Sequence, residues 1–148
     1  SKDVVSAHQI KLQADLEFSE ADFSDADVLF LPGGMPGTRN LAAHEGLCGE
    51  LLKADKAGKR LAAICAGPSV LGGLGILEGR KATCYPGFED ELKGAEYTRQ
   101  GVVTDGNVTT ARGLGYALYL GIELLALLTD REHAGQIKDS IQYDQIPM

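Results

Sequence analysis

Residues 61–68 read Leu61-Ala62-Ala63-Ile64-Cys65-Ala66-Gly67-Pro68, an apolar run that stops on a tail of small, turn-forming residues. The run suits a buried strand, and Val70, Leu71 and Leu74 follow it at helical spacing. Strand, sharp turn and helix are therefore predicted, with Cys65 at the elbow. Pro68 fits the first helical turn because its missing N–H would have no partner there. A residue on such an elbow is pushed up out of the sheet, facing the unpaired N–H groups and positive dipole end of the helix. For a cysteine this favours the thiolate, its nucleophilic form. The plainer alternative is a small apolar residue buried in a core strand.

Upstream, Asp27 to Leu31 is a compact apolar run stopped by Pro32-Gly33-Gly34, as expected of a parallel strand buried on both faces. Asp3 to Glu17 alternates loosely and reads as short strands or a hairpin, and Asp22 to Asp25 as a turn. Leu41, Cys48, Leu51 and Leu52 recur at helical spacing, which predicts one helix from Asn40 to Lys56 with Gly58 as its stop.

Downstream, Lys81 to Tyr85 reads as a third strand, and Phe88 to Lys93 as one or two helical turns. Asp105-Gly106 between two β-branched runs, Val102 to Thr110, signals a β-hairpin. Tyr116 to Leu128 is apolar nearly all round and predicts a buried helix. Thr129 and Glu132 fit a capping box opening a last helix toward Asp139. Strands alternating with helices give an α/β chain, a flavodoxin-like three-layer sandwich with a mainly parallel sheet and one β-hairpin, in a single domain over 1–148. In such sheets ligands sit at the carboxyl ends of the strands, where Gly34 and Cys65 both fall.

The chain carries a net charge of -7 and a pI near 4.9, which opposes nucleic-acid binding. No apolar run approaches the ~20 residues that cross a bilayer, so no membrane role is expected. Three cysteines with no Cys-x-x-Cys pair argue against a disulfide framework and a zinc site. No charged-then-apolar signal segment stands at Ser1, so a cytoplasmic location is the expectation. His8 and His44 have no carboxylate or cysteine at ligand spacing and read as surface or helix-face residues, so no metal and no other cofactor is expected. His133 likewise reads as a solvated helix residue.

If Cys65 attacks a carbonyl, the oxygen that gains charge needs donors, and the backbone N–H groups of Gly34 and Ala66 are the candidates. Gly33, Tyr85, Arg112 and Gly113 are the other candidates for the substrate pocket. Arg112 would greet an anionic or carbonyl substrate or brace its own loop through backbone carbonyls. Cys84 is either a second redox thiol or a residue that strand alternation buries, and burial is the commoner fate.

Leu31-Pro32-Gly33-Gly34, Asn40-Leu41, Ala62 to Pro68, Thr83 to Glu89 and Ala111-Arg112-Gly113-Leu114-Gly115 together resemble the DJ-1/ThiJ/PfpI superfamily, in order and spacing. Ala66 is similar to the DJ-1 and ThiJ branch, whereas PfpI-type proteases carry histidine after the nucleophile. The resemblance implies a stress-response protein acting on reactive aldehydes through Cys65, of glyoxalase III or deglycase type. The alternative is a redox-sensing or chaperone homodimer using oxidation of Cys65. Implied partners are a small aldehyde or glycated substrate and a second copy of the chain. Two departures stand out. Tyr85 takes a position where some relatives carry a histidine. No acidic residue matches the glutamate that relatives present from an amino-terminal βα unit, so the chain is expected to be a fragment or to receive that unit from a separate polypeptide.

Overall fold

The computed structural model describes residues 1–143. Its main sheet has four strands: β3 (Val28–Leu31), β4 (Arg60–Ile64), β7 (Val102–Asp105) and β8 (Val108–Ala111), in the order β3-β4-β8-β7. β4 runs parallel to β3 and to β8, and β7 pairs antiparallel with β8, so the sheet is mainly parallel with the hairpin at one edge. β4 is the centre of the core: Leu61, Ala62 and Ala63 are fully buried. Gly106 and Asn107 close the hairpin, and the positive φ of Gly106 at the first loop position suits the right-handed strand twist.

Two short pairs lie outside this sheet. β1 (Asp3–Val5) and β2 (Lys11–Gln13) form the antiparallel hairpin expected of the first stretch, and its apolar residues Val4, Val5 and Leu12 are exposed. β5 (Lys81–Ala82) pairs parallel with β6 (Glu96–Tyr97).

Helices cover both faces. On one, α2 (Glu45–Lys56) and α3 (Pro68–Gly73) supply Leu51, Ala54, Val70 and Leu71 to a core completed by Leu61, Leu77 and Cys84. On the other, α4 (Ala117–Leu128) lays Leu120 against Ile64 and Ala111. None of the helices described is long and apolar enough to cross a membrane.

Several expectations need correction. The strand before Gly33 is not buried on both faces: β3 pairs only with β4 among the described residues, and Phe30 is 48% exposed. The helix predicted over 40–56 is two, α1 (Gly37–Ala42) and α2. The break falls where the His44 side chain accepts the Leu47 N–H at 3.0 Å, capping α2 and packing on Phe18 with ring centres 4.5 Å apart. Cap formation restarts the helix without disturbing the apolar spacing. His44 is thus an exposed residue whose role is to cap a helix.

The strand predicted to Tyr85 pairs as a strand only through Ala82, because Thr83 N–H turns to the Thr110 hydroxyl instead of a strand carbonyl. The turns at Phe88 to Lys93 reduce to one 3₁₀ turn, Glu89–Glu91. α4 is not buried all round: Leu120 alone is fully buried, while Leu118 and Leu128 are 57% and 47% exposed, since the sheet and the last helix cover only part of it. That last helix, α5 (Arg131–Ser140), is capped by Asp130, whose carboxylate accepts the His133 N–H at 2.7 Å. The Thr129 hydroxyl instead donates back to the Leu125 carbonyl, closing α4.

At the amino end of β4 a polar clamp fixes the register. Arg80 donates to Asn107 Oδ1 at 2.7 Å and to Asp55 Oδ1 at 2.9 Å. Asn107 Nδ2 donates to Asp55 and to the Lys59 carbonyl, and its own carbonyl accepts the Leu61 N–H at 2.9 Å. Helix α2, the hairpin turn and β4 are joined there through three side chains.

Candidate active site

Cys65 adopts φ +64°, a left-handed conformation that strains a side-chain-bearing residue. Its neighbours hold it there: its N–H donates to Ala111 O at 2.9 Å, and its carbonyl accepts the Tyr85 N–H at 2.8 Å. Gly67 caps α3 and Pro68 takes the first helical position, so strand, elbow and helix follow the order read from residues 61–68. The side chain is half-buried in a cavity of about 550 Å³ lined by Pro32, Gly33, Gly34, Ile64 and Cys65 from the strand ends and by Ala117, Leu120, Gly121 and Leu124 from α4. None of the residues lining this cavity is charged.

The Pro32–Gly34 turn lies directly against the elbow. A Cβ on Gly33 would sit 2.4 Å from the Ile64 carbonyl oxygen and 3.2 Å from Ala66 N, at φ +78°. Only glycine allows this approach. Among the described residues, neither the Gly34 N–H nor the Ala66 N–H has a hydrogen-bond acceptor in the protein.

The register that pairs Ile64 with Ala111 sets Cys65 level with Arg112, one step past the end of β8. Arg112 lines a second cavity of about 320 Å³ with Tyr85, Pro86 and Gly113 to Tyr116, and the two cavities share Leu114 as a wall. Tyr85 is half exposed, and its ring would lie 3.3 Å from a Cβ placed on Gly113. The site residues expected from sequence thus gather around Cys65 and this neighbouring cavity. The α4 wall was missed, although its unbroken apolar face was the signal.

Arg112 makes no side-chain hydrogen bond or ion pair among the described residues; its loop is tied by its backbone N–H, which donates to Gly101 O at 2.8 Å. The nearby carboxylates are engaged elsewhere. Glu91 forms a two-pronged pair with Arg39 at 2.8 and 2.9 Å. The N–H groups of Glu89 itself and of Gly87, aided by the Tyr97 hydroxyl and the Arg112 charge, hold the Glu89 carboxyl below the usual carboxylate range.

Cys84 is fully buried and packs with the core cluster of α2 and α3, whereas Cys65 packs with Ile64, Ala111 and Leu120. Burial, with the Glu89 charge second, pushes the Cys84 thiol up from 9.0 to about 12. Below pH 9 folded and unfolded chains both keep this proton; between about 9 and about 12 the unfolded chain releases it and the folded chain does not. Stability is therefore expected to fall as pH rises through that window. Urea midpoints from pH 8 to 11 should decline less steeply in a Cys84→Val protein, and equal slopes would remove the cause. No group of three His, Cys, Asp or Glu among the described residues is placed to hold a metal ion.

A model of the DJ-1/PfpI family matches residues 1–127. The chain is 37% identical over 137 residues to Protein DJ-1 homolog A of Arabidopsis thaliana, covering 90% of this chain and 35% of that protein. It is 35% identical over 114 residues to Deglycase PfpI of Pyrococcus furiosus, covering 76% of this chain and 68% of that protein. A solved DJ-1 superfamily protein from Salmonella typhimurium superposes with a TM-score of 0.91 at 34% identity, over 97% of this chain and 79% of that one. The chain spans about a third of the length of the two plant relatives it matches, 32% and 35%. The family match over most of the sequence agrees with the elbow, the glycine turn against it and the parallel strand order: the chain belongs to the DJ-1/PfpI family.

Proposed function

We propose that the chain acts on small reactive aldehydes, with Cys65 as nucleophile and no metal or glutathione, and that methylglyoxal or glyoxal, or the groups they have glycated, are its substrates. The observation that carries this reading is the strained, half-buried Cys65 in an apolar cavity beside two unengaged N–H groups, those of Gly34 and Ala66. The deglycase names of archaeal relatives point the same way.

The thiolate adds to the aldehyde carbon of methylglyoxal, the carbonyl electron pair moves to oxygen, and Gly34 and Ala66 N–H donate to that oxygen. Protonation gives a hemithioacetal. The aldehyde C–H proton then passes to the adjacent ketone carbon through an enediol, leaving a lactate thioester. Water cleaves the thioester, releasing lactate and returning the thiol, so methylglyoxal plus water gives lactate. The proton transfers need a carrier, and the cavity lining offers no acid or base apart from Cys65 itself. Water in the cavity is assigned that role.

The missing carrier favours a second reading, in which Cys65 is oxidised to sulfenic or sulfinic acid by peroxide and reports redox state in a homodimer. The exposed apolar hairpin β1–β2, with Val5 at 60% and Leu12 at 57% exposure, supports self-association. One experiment separates the two. Methylglyoxal incubated with the protein, chelator present and glutathione absent, is expected to yield lactate catalytically. No lactate, with one or two oxygens added at Cys65 by dilute peroxide, would replace the first reading by the second.

A further inference from the structure

The cavity around Cys65 has no charged residue with which to select one small carbonyl compound from another, yet Arg112 lines the cavity next to it. Arg112 is half-buried, follows Ala111 as Cys65 follows Ile64 in the β4–β8 register, and lines a cavity that shares Leu114 with the one around Cys65. Leu114, the residue common to both linings, is 88% exposed. Arginine presents five donors in a fixed fork, and Arg112 uses none of them on described protein groups. Arg39 occupies Glu91, and the Glu89 carboxylate accepts the Gly87 N–H at 2.7 Å, so no carboxylate among the described residues fills the fork. The whole molecule carries -7, and an anionic reactant meets net repulsion unless a local positive charge offsets it.

We propose that Arg112 is a specificity residue for an anionic group, so that the carbonyl compounds Cys65 takes best are small aldehydes bearing a carboxylate or a phosphate. This rests on Cys65 being the nucleophile. The guanidinium fork pairs with two oxygens of the anion, Tyr85 flanks it, and the aldehyde carbon lies past Leu114 toward the thiolate.

The test compares two alkylating reagents that differ in charge. Iodoacetate and iodoacetamide both form an S–C bond while iodide departs with the C–I electron pair, so the ratio of their rates cancels any change in thiolate content. Site-resolved mass spectrometry reads Cys65 and, as a reference in the same molecule, Cys48 on α2. The iodoacetate to iodoacetamide ratio at Cys65 is expected to exceed that at Cys48 by about tenfold. It should fall to the Cys48 value in Arg112→Gln and stay intermediate in Arg112→Lys, which keeps the charge and loses the fork. A Cys65 ratio unchanged by Arg112→Gln, with iodoacetamide still reacting, overturns this inference and leaves the nucleophile standing. No reaction of Cys65 with either reagent overturns the nucleophile, and the inference with it.

Discussion

A Cys65→Ser protein is expected to convert methylglyoxal at least about 10³-fold more slowly than the parent while folding normally. Serine matches cysteine in shape, and both backbone bonds of residue 65, to Ala111 and Tyr85, remain available. What is lost is the nucleophile: an unactivated hydroxyl ionises far above neutral pH, and no base lines the cavity to take its proton. A Cys65→Gly protein separates chemistry from strain. It should be equally inactive, yet more stable than the serine protein by about 1 kcal/mol, because glycine adopts φ +64° without penalty. Lactate formation and urea midpoints read the two effects. Parent-level turnover by the serine protein would place the chemistry elsewhere, and equal midpoints would deny that the elbow is strained.

The Gly33→Ala exchange is expected to be the most damaging single methyl in the molecule's site. The new carbon would meet the Ile64 carbonyl oxygen at 2.4 Å, and this atom belongs to the backbone of the central strand's end. Displacing it costs about 1–3 kcal/mol. The left-handed φ of +78° adds about 1–2 kcal/mol. The neighbouring Gly34→Ala is the control: its φ is +82°, but nothing lies within 4 Å of the added carbon, so only the conformational cost applies. The difference between the two midpoints in urea measures the clash. Proteins of equal stability would mean that the turn before α1 moves away freely.

The central features were legible because each rested on a local rule. An apolar run ending in Cys65-Ala66-Gly67-Pro68 leaves the backbone few choices besides a strand, a tight turn and a helix. A glycine between two β-branched runs likewise encodes the β7–β8 hairpin. The misreadings share a physical origin, a side-chain hydrogen bond that overrides periodicity. His44 ends one helix and starts another within an undisturbed apolar spacing. Asp130, one residue on, caps the last helix with its carboxylate, while the threonine hydroxyl turns back to donate to the Leu125 carbonyl. The Thr110 hydroxyl draws off the Thr83 N–H and ends β5 early. Burial was misjudged for the same kind of reason: Phe30 and Leu118 are apolar, but hydropathy does not say which neighbours exist to cover them. Gly34, Ala66 and Arg112 were found near Cys65 because strand ends in a parallel sheet share one edge.

The clamp of Arg80, Asp55 and Asn107 lies at the opposite end of β4 from Cys65. The same strands therefore divide their labour along their length, one end holding alignment and the other holding reactivity. Changes that suit the elbow's loops to a new carbonyl compound leave the alignment end untouched, and losses at the alignment end can be repaired without retuning the thiol. Such a separation makes a scaffold evolvable: new specificities can be sampled one loop at a time, on strands whose pairing is secured elsewhere.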